Sequence, residues 1–148
     1  ALRRWAPAAE ALPFFLEALQ LQRDGVVVGA DLVDEEDRYH SLWYYRGVFE
    51  QVKAAAHDAG VPPLRYFFHA GETDRFKYNN SNLYDAILLG SKRIGHGLAF
   101  RDYPLLTQQY RDAGGCVEVC PLSNRALRTV VDVEEHPAVT FMNAGLPV

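Results

Sequence analysis

The sequence predicts an α/β domain built on a parallel sheet, and within that class a part of a (β/α) barrel. Two observations carry this. Short apolar or β-branched runs alternate with helical periodicities along all 148 residues, with no repeat or low-complexity linker between them, as a parallel sheet with crossover helices requires. Four successive strand candidates then run into polar groups at their C-terminal ends: Asp31, then His69 with Glu72, then His96, then Glu118 with Ser123 and Asn124. Barrels collect their chemistry at that end of the sheet. An open doubly wound sheet, the second choice, would gather its polar groups at one switch point beside a glycine-rich phosphate loop, and no such loop is found.

Taken in order, Leu12, Phe15, Leu16 and Leu19 mark one face of a helix, with Pro13 near its first turn and Gly25 as its stop. Val26 to Leu32 reads as a buried parallel strand ending in acids. Ser41 can cap a helix whose apolar positions Leu42, Tyr45, Phe49, Val52, Ala56 and Ala59 step by three and four until Gly60. A strand from Leu64 to Phe68 runs into His69-Ala70-Gly71-Glu72, and a helix through Leu83, Ala86 and Ile87 closes at Gly90. Arg93 to His96 follows, then a helix from Pro104 to Ala113, a strand from Cys116 to Cys120, and a helix around His136 to Ala144. Val148 reads as the possible beginning of a fifth strand.

A barrel needs about eight βα units, so further units are expected on both sides of these four. The first residues, Ala1 to Pro7, carry neither a start methionine nor a cleavage-site pattern, and the piece is expected to start mid-protein. Open sheet edges pair unless covered, which predicts that the 148 residues alone are unstable, swapped or homodimeric. With 49% hydrophobic and 23% charged residues, the composition fits one globular domain over residues 1–148. The formal net charge of −4 argues against nucleic acid as a partner, since a phosphate-backbone binder needs a cationic face. No apolar run reaches the length of a membrane-spanning helix. Cys116 and Cys120 are about 13 Å apart along one strand and cannot pair with each other.

His69 and Glu72, on the turn after a buried strand, place a metal-ligand type beside a carboxyl able to handle protons if burial raises its pKa. Spacing alone suits a strand-end histidine bonded to backbone and a solvated glutamate at least as well. His96 sits between Gly95 and Gly97, where it suits a base over bound water or a turn whose glycines serve only backbone geometry. His40, His57 and His136 read as surface or capping residues, and Glu118, Ser123 and Asn124 as backbone-satisfying groups or pocket floor. The free-standing cytidine deaminase pattern of His-x-Glu with Pro-Cys-x-x-Cys is absent.

His69-Ala70-Gly71-Glu72-Thr73, Arg93-Ile94-Gly95-His96-Gly97 and Glu118-Val119-Cys120-Pro121-Leu122-Ser123-Asn124, in this order, resemble the adenosine deaminases. Gly29-Ala30-Asp31-Leu32-Val33, Glu36-Asp37 and His40-Ser41-Leu42 resemble the adenosine deaminase-related growth factor branch. The resemblance covers most of the chain from Val26 onwards. It implies a (β/α)8 TIM barrel of the amidohydrolase superfamily, represented here by roughly strands 4 to 7, with zinc as cofactor. The implied reaction is hydrolytic deamination of a 6-aminopurine nucleoside with release of ammonia. Carried over by residue, His69 would be a zinc ligand, Glu72 would protonate the purine ring, and His96 would position or deprotonate the water that zinc activates. Asp31, Gly71 and the residues at 34 and 35 would line the substrate. The family's other metal ligands, from a His-x-His and an Asp-Asp, do not occur in these 148 residues. Where the family has a purine-contacting glycine this chain has Asp34, and Glu35 replaces a histidine near the ribose. These two changes leave two alternatives to adenosine deamination: a barrel that lost turnover and acts as a binding or signalling protein, and an amidohydrolase with another amine substrate.

Overall fold

A computed structural model describes residues 1–73 and 81–148. Five parallel strands alternate with helices among them: β1 (Leu2–Arg3), α1 (Ala8–Arg23), β2 (Leu32–Val33), α2 (Arg46–Asp58), β3 (His69–Ala70), α3 (Asn82–Leu88), β4 (Arg93–His96), α4 (Pro104–Asp112), β5 (Cys116–Glu118), α5 (Pro121–Ala126) and α6 (Ala138–Asn143). β1 pairs with β2, and β3, β4 and β5 form a second parallel sheet in that order. One parallel bridge, Ala30 to Tyr66, connects the two sheets, with Ala30 donating to the Arg65 carbonyl and Phe67 donating to that of Ala30, both at 2.9 Å. The strands thus follow one another in chain order, each next to its predecessor, as in a barrel wall. Beyond β5, the Val117 amide donates to the Pro147 carbonyl at 2.9 Å, which lays that segment beside β5.

The core lies between the strands and the outer helices. Phe15 of α1, Phe49 of α2, and Tyr66 and Phe68 leading into β3 form one aromatic cluster, with ring centroids 5.3 Å apart for Phe15 and Phe49 and 5.2 Å for Phe49 and Phe68. All four are buried, and this apolar area removed from water is the main term holding helices to sheet. Ser41 receives the Tyr44 amide at 3.3 Å, opening a short 3-10 turn, Leu42–Tyr45, before α2. Gly25, Gly60, Gly90 and Gly114 follow helix ends with positive φ, where a side chain would be strained.

Four elements differ from the reading of the sequence. The run Leu64 to Phe68, expected as a strand, makes only the bridge at Tyr66, and β3 is the pair His69–Ala70 that follows it. β1 is unforeseen, because two residues leave no periodicity to read. Val26 and Val28, expected inside a strand, are 68% and 65% exposed; sheet contact starts only at Ala30, and β-branched propensity loses to tertiary context. The last strand stops at Glu118, and Pro121 instead opens α5, a helix too short to announce itself.

Candidate functional site

Five residues on or beside the strands come together: Asp31 just before β2, His69 opening β3, Glu72 two residues past it, His96 closing β4, and Asn124 in α5 after β5. His69 lies at the start of β3, its ring against Gly95 of the neighbouring strand. A Cβ at residue 95 would come within 3.2 Å of the His69 ring, so the glycine is what lets the ring lie there. Its Nδ1 lies 2.9 Å from Asp31 Oδ2, while Asp31 Oδ1 accepts the His69 amide at 3.2 Å. The contact with Asp31 raises the His69 pKa above the ordinary histidine value, against the opposing pull of burial.

Gly71 turns the chain at φ 68, with Ala99 and Leu83 leaving little room for a Cβ. The amides of Gly71 and Glu72 are then free of any strand partner, and the buried carboxylate of Glu36 takes both. Oε2 accepts from Gly71 at 3.0 Å and Oε1 from Glu72 at 2.8 Å. Oε2 also accepts from Asn82 Nδ2 at 3.0 Å, and Thr73 Oγ1 donates to Asp37 at 2.9 Å. Beneath this loop the fully buried Arg4 guanidinium donates to the carbonyls of His69 and His40 and to Asn82 Oδ1. Arg4 follows β1 directly, so the unforeseen strand delivers the cation that offsets this group of acids.

Glu72 is buried, with Oε1 3.2 Å from His96 Nδ1. Burial, then the nearby Glu36 carboxylate, push its pKa up, with His69 and Arg4 pulling the other way. His96 is buried and adopts φ 65, a conformation unusual outside glycine that often marks functional positions. Burial first, then His69, lower its pKa. The two partners are therefore both moved towards their neutral forms. His69 and His96 face each other with ring centroids 5.0 Å apart.

Asn124, fully buried, places Nδ2 3.0 Å from His96 Nδ1, and its Oδ1 lies 3.1 Å from His136 Nε2. His136 is buried rather than on the surface, while its Nδ1 caps the start of α6 by accepting the Ala138 amide at 3.1 Å. Arg4, Glu36 and His136 are thus site residues that the sequence reading did not assign, whereas Asn124 was among the polar groups expected after the last strand, as pocket floor or as a partner for backbone. Of the three unassigned residues, Glu36, close after Asp31, carried a readable signal. Glu118 instead pairs with Arg93, and Ser123 is exposed.

Asp34 holds φ 105 and pairs with Arg3 at 3.1 Å. Glu35 is exposed. A cavity of about 310 Å³, at the lower end of the range for small-molecule sites, opens beside Glu72 and is lined by Asp37, Thr73, Leu98, Arg101 and Arg128 among others.

Among the described residues no three His, Cys, Asp or Glu side chains converge as a metal cluster. His69 fits one corner of such a site: the Asp31 carboxylate stands at ion-pair distance from its Nδ1 but out of line for a hydrogen bond, a placement that leaves Nε2 as the nitrogen for a metal.

A parallel βα wall with histidines and acids gathered along its strands defines part of a (β/α) barrel, and the comparisons specify its family. The adenosine deaminase family profile matches residues 5–148. The chain is 46% identical over 121 residues to adenosine deaminase 2 of Dictyostelium discoideum, covering 82% of this chain and 22% of that protein. It is 40% identical over 144 residues to adenosine deaminase 2-A of Danio rerio, covering 95% and 28%, and 41% identical over 131 residues to human adenosine deaminase 2, covering 88% and 25%. Among solved structures, an adenine deaminase from Arthrobacter aurescens superposes with a TM-score of 0.73 at 26% identity, over 97% of this chain and 40% of that one. A zinc-bound amidohydrolase from Burkholderia ambifaria gives 0.73 at 25% identity, over 98% and 38%. The chain belongs to the adenosine deaminase family, and its fold is part of that barrel. It spans about a quarter of the length of these curated relatives.

Proposed function

We propose that these residues form part of the active site of a zinc-dependent aminohydrolase that replaces the 6-amino group of adenosine, or of a related 6-aminopurine nucleoside, with oxygen and releases ammonia. The observation that carries the reading is the pairing of two differently tuned units at adjacent strand ends: His69 oriented by Asp31, and Glu72 beside His96. His69 would hold zinc through Nε2, with the remaining ligands supplied from outside these 148 residues. Zinc, when bound, supplies a nucleophile at neutral pH and Lewis acidity.

The chain's own groups do the rest. Burial keeps Glu72 in its acid form to higher pH than an ordinary carboxyl, so it can give a proton to a purine ring nitrogen and make the attacked carbon electrophilic. Glu36 fixes the backbone of Glu72 and so the position of that proton. His96, buried and neutral, lies over the same region and orients the attacking oxygen. Gly71 leaves space beside Glu72, and Asp31 acts through His69.

Asp34 favours a second reading, in which the amine-bearing substrate is not adenosine. Its positive φ suits the glycine expected there, yet it carries a side chain tied to Arg3. Assaying the intact, zinc-loaded protein against adenosine, 2′-deoxyadenosine, adenine and N6-methylated nucleosides separates the two. Preference for adenosine supports the first reading, and turnover of another amine with adenosine inert supports the second.

A further inference from the structure

His136, Asn124 and His96 form a chain of hydrogen bonds whose direction is fixed at one end. The Ala138 amide can only donate, and it donates to His136 Nδ1. A neutral His136 then carries its proton on Nε2 and gives it to Asn124, which must present its oxygen there. The Asn124 amide group consequently presents its NH₂ to His96 Nδ1. An imidazole nitrogen that accepts a hydrogen bond carries no proton of its own, so the neutral ring holds its proton on Nε2. A backbone donor in α6 thereby dictates a tautomer in β4, 42 positions away in the sequence.

We infer that Asn124 and His136 are positioning residues that lock His96 as the Nε2–H tautomer, making it a hydrogen-bond donor to the reacting oxygen rather than the base that deprotonates it. This rests on the deaminase reading of the site for its chemistry but not for its geometry. It decides between two roles that the motif around His96 leaves open. The single lone pair of Nδ1 is taken by Asn124, so the 3.2 Å approach of Glu72 Oε1 to the same nitrogen is a close contact and not a second hydrogen bond. The acid form of Glu72 is the form that avoids setting a carboxylate against that lone pair. Asn124, His136 and His96 are all buried, so bulk water does not compete for either ring.

The test is two-bond proton–nitrogen correlation NMR on the intact protein labelled with ¹⁵N-histidine, near neutral pH and without substrate, with His96 and His136 assigned by the signals lost in His96→Gln and His136→Gln. The relay requires Nε2–H and bare Nδ1 on both rings. Asn124→Asp, nearly isosteric but able only to accept, moves the His96 proton to Nδ1. It lowers kcat about ten- to a hundred-fold with KM changed little. His136→Gln, whose amide can still donate to Asn124, keeps Nε2–H on His96, while His136→Leu loses it. Nδ1–H on His96 in the unaltered protein, or a tautomer indifferent to Asn124→Asp, overturns the inference. The expected tautomers with no deamination of any purine leave the relay standing and remove the deaminase reading.

Discussion

The two histidines of the site face each other across 5.0 Å but are held by opposite kinds of surroundings. His69 rests on carboxylates: Asp31 stands at ion-pair distance from its Nδ1, and Glu36 ties down the loop that follows it. His96 rests on a neutral amide and a neutral imidazole, Asn124 and His136. The pKa values diverge accordingly, His69 upwards through Asp31 and His96 downwards through burial and through His69 itself. An anionic surround favours a cation, a proton or a metal ion, at His69. A neutral, dry surround keeps its neighbour uncharged. On the proposed reading, one barrel rim uses the same side chain once to favour a cation and once to stay neutral.

Breaking each half should give a distinct loss. The largest falls on Glu72, which lies between them. Glu72→Gln retains shape and removes the transferable proton, so turnover drops by about 10²–10⁴ while thermal stability measured by circular dichroism changes little. On the His69 side, Asp31→Asn leaves a ligand without its orienting carboxylate. Zinc retention after dialysis against a graded chelator series is expected to weaken about 10–100-fold. Glu36→Gln removes one of the two carboxylate oxygens that serve the Gly71 and Glu72 amides. Leaving a buried group unmatched costs about 1–3 kcal/mol, read as a lower urea midpoint. The smallest effect falls outside both halves. Asp34→Gly relieves a backbone at φ 105 and gives up only an ion pair to the largely exposed Arg3, so the protein gains about 1 kcal/mol.

Acid sharpens the contrast. His96 and His136 bind protons less readily folded than unfolded. Their contribution is therefore intact above the ordinary histidine value of 6.5 and is lost as pH falls from there towards their depressed values. His69 in the metal-free protein works the other way: its contribution is present below 6.5 and fades as pH rises through its raised value. In pH-dependent melting, His136→Gln should flatten part of the acid limb and leave the alkaline limb unchanged.

Much of this was legible in the sequence wherever a pattern repeats or a motif is contiguous. The 3.6-residue spacing of Phe15 and Leu19, or of Phe49, Val52 and Ala56, locates the helices, and polar strand ends locate the rim. His69, Glu72 and His96 stand out because each follows an apolar strand directly. Arg4 and His136 do not. Arg4 becomes a site residue only because β1 pairs beside β2, and His136 only because α6 folds back to Asn124. Such contacts join residues 12 to 78 positions apart, and no local spacing encodes them. Val26 to Val28 illustrates the converse, a locally persuasive strand that finds no sheet partner among the described residues.

The most direct test of the account is the rate of adenosine deamination by the intact, zinc-loaded protein, followed by loss of adenosine absorbance, with a chelated sample and Glu72→Gln measured beside it. The account predicts turnover that chelation abolishes, that returned zinc restores, and that Glu72→Gln does not recover. Adenosine turnover that survives both chelation and Glu72→Gln would contradict it.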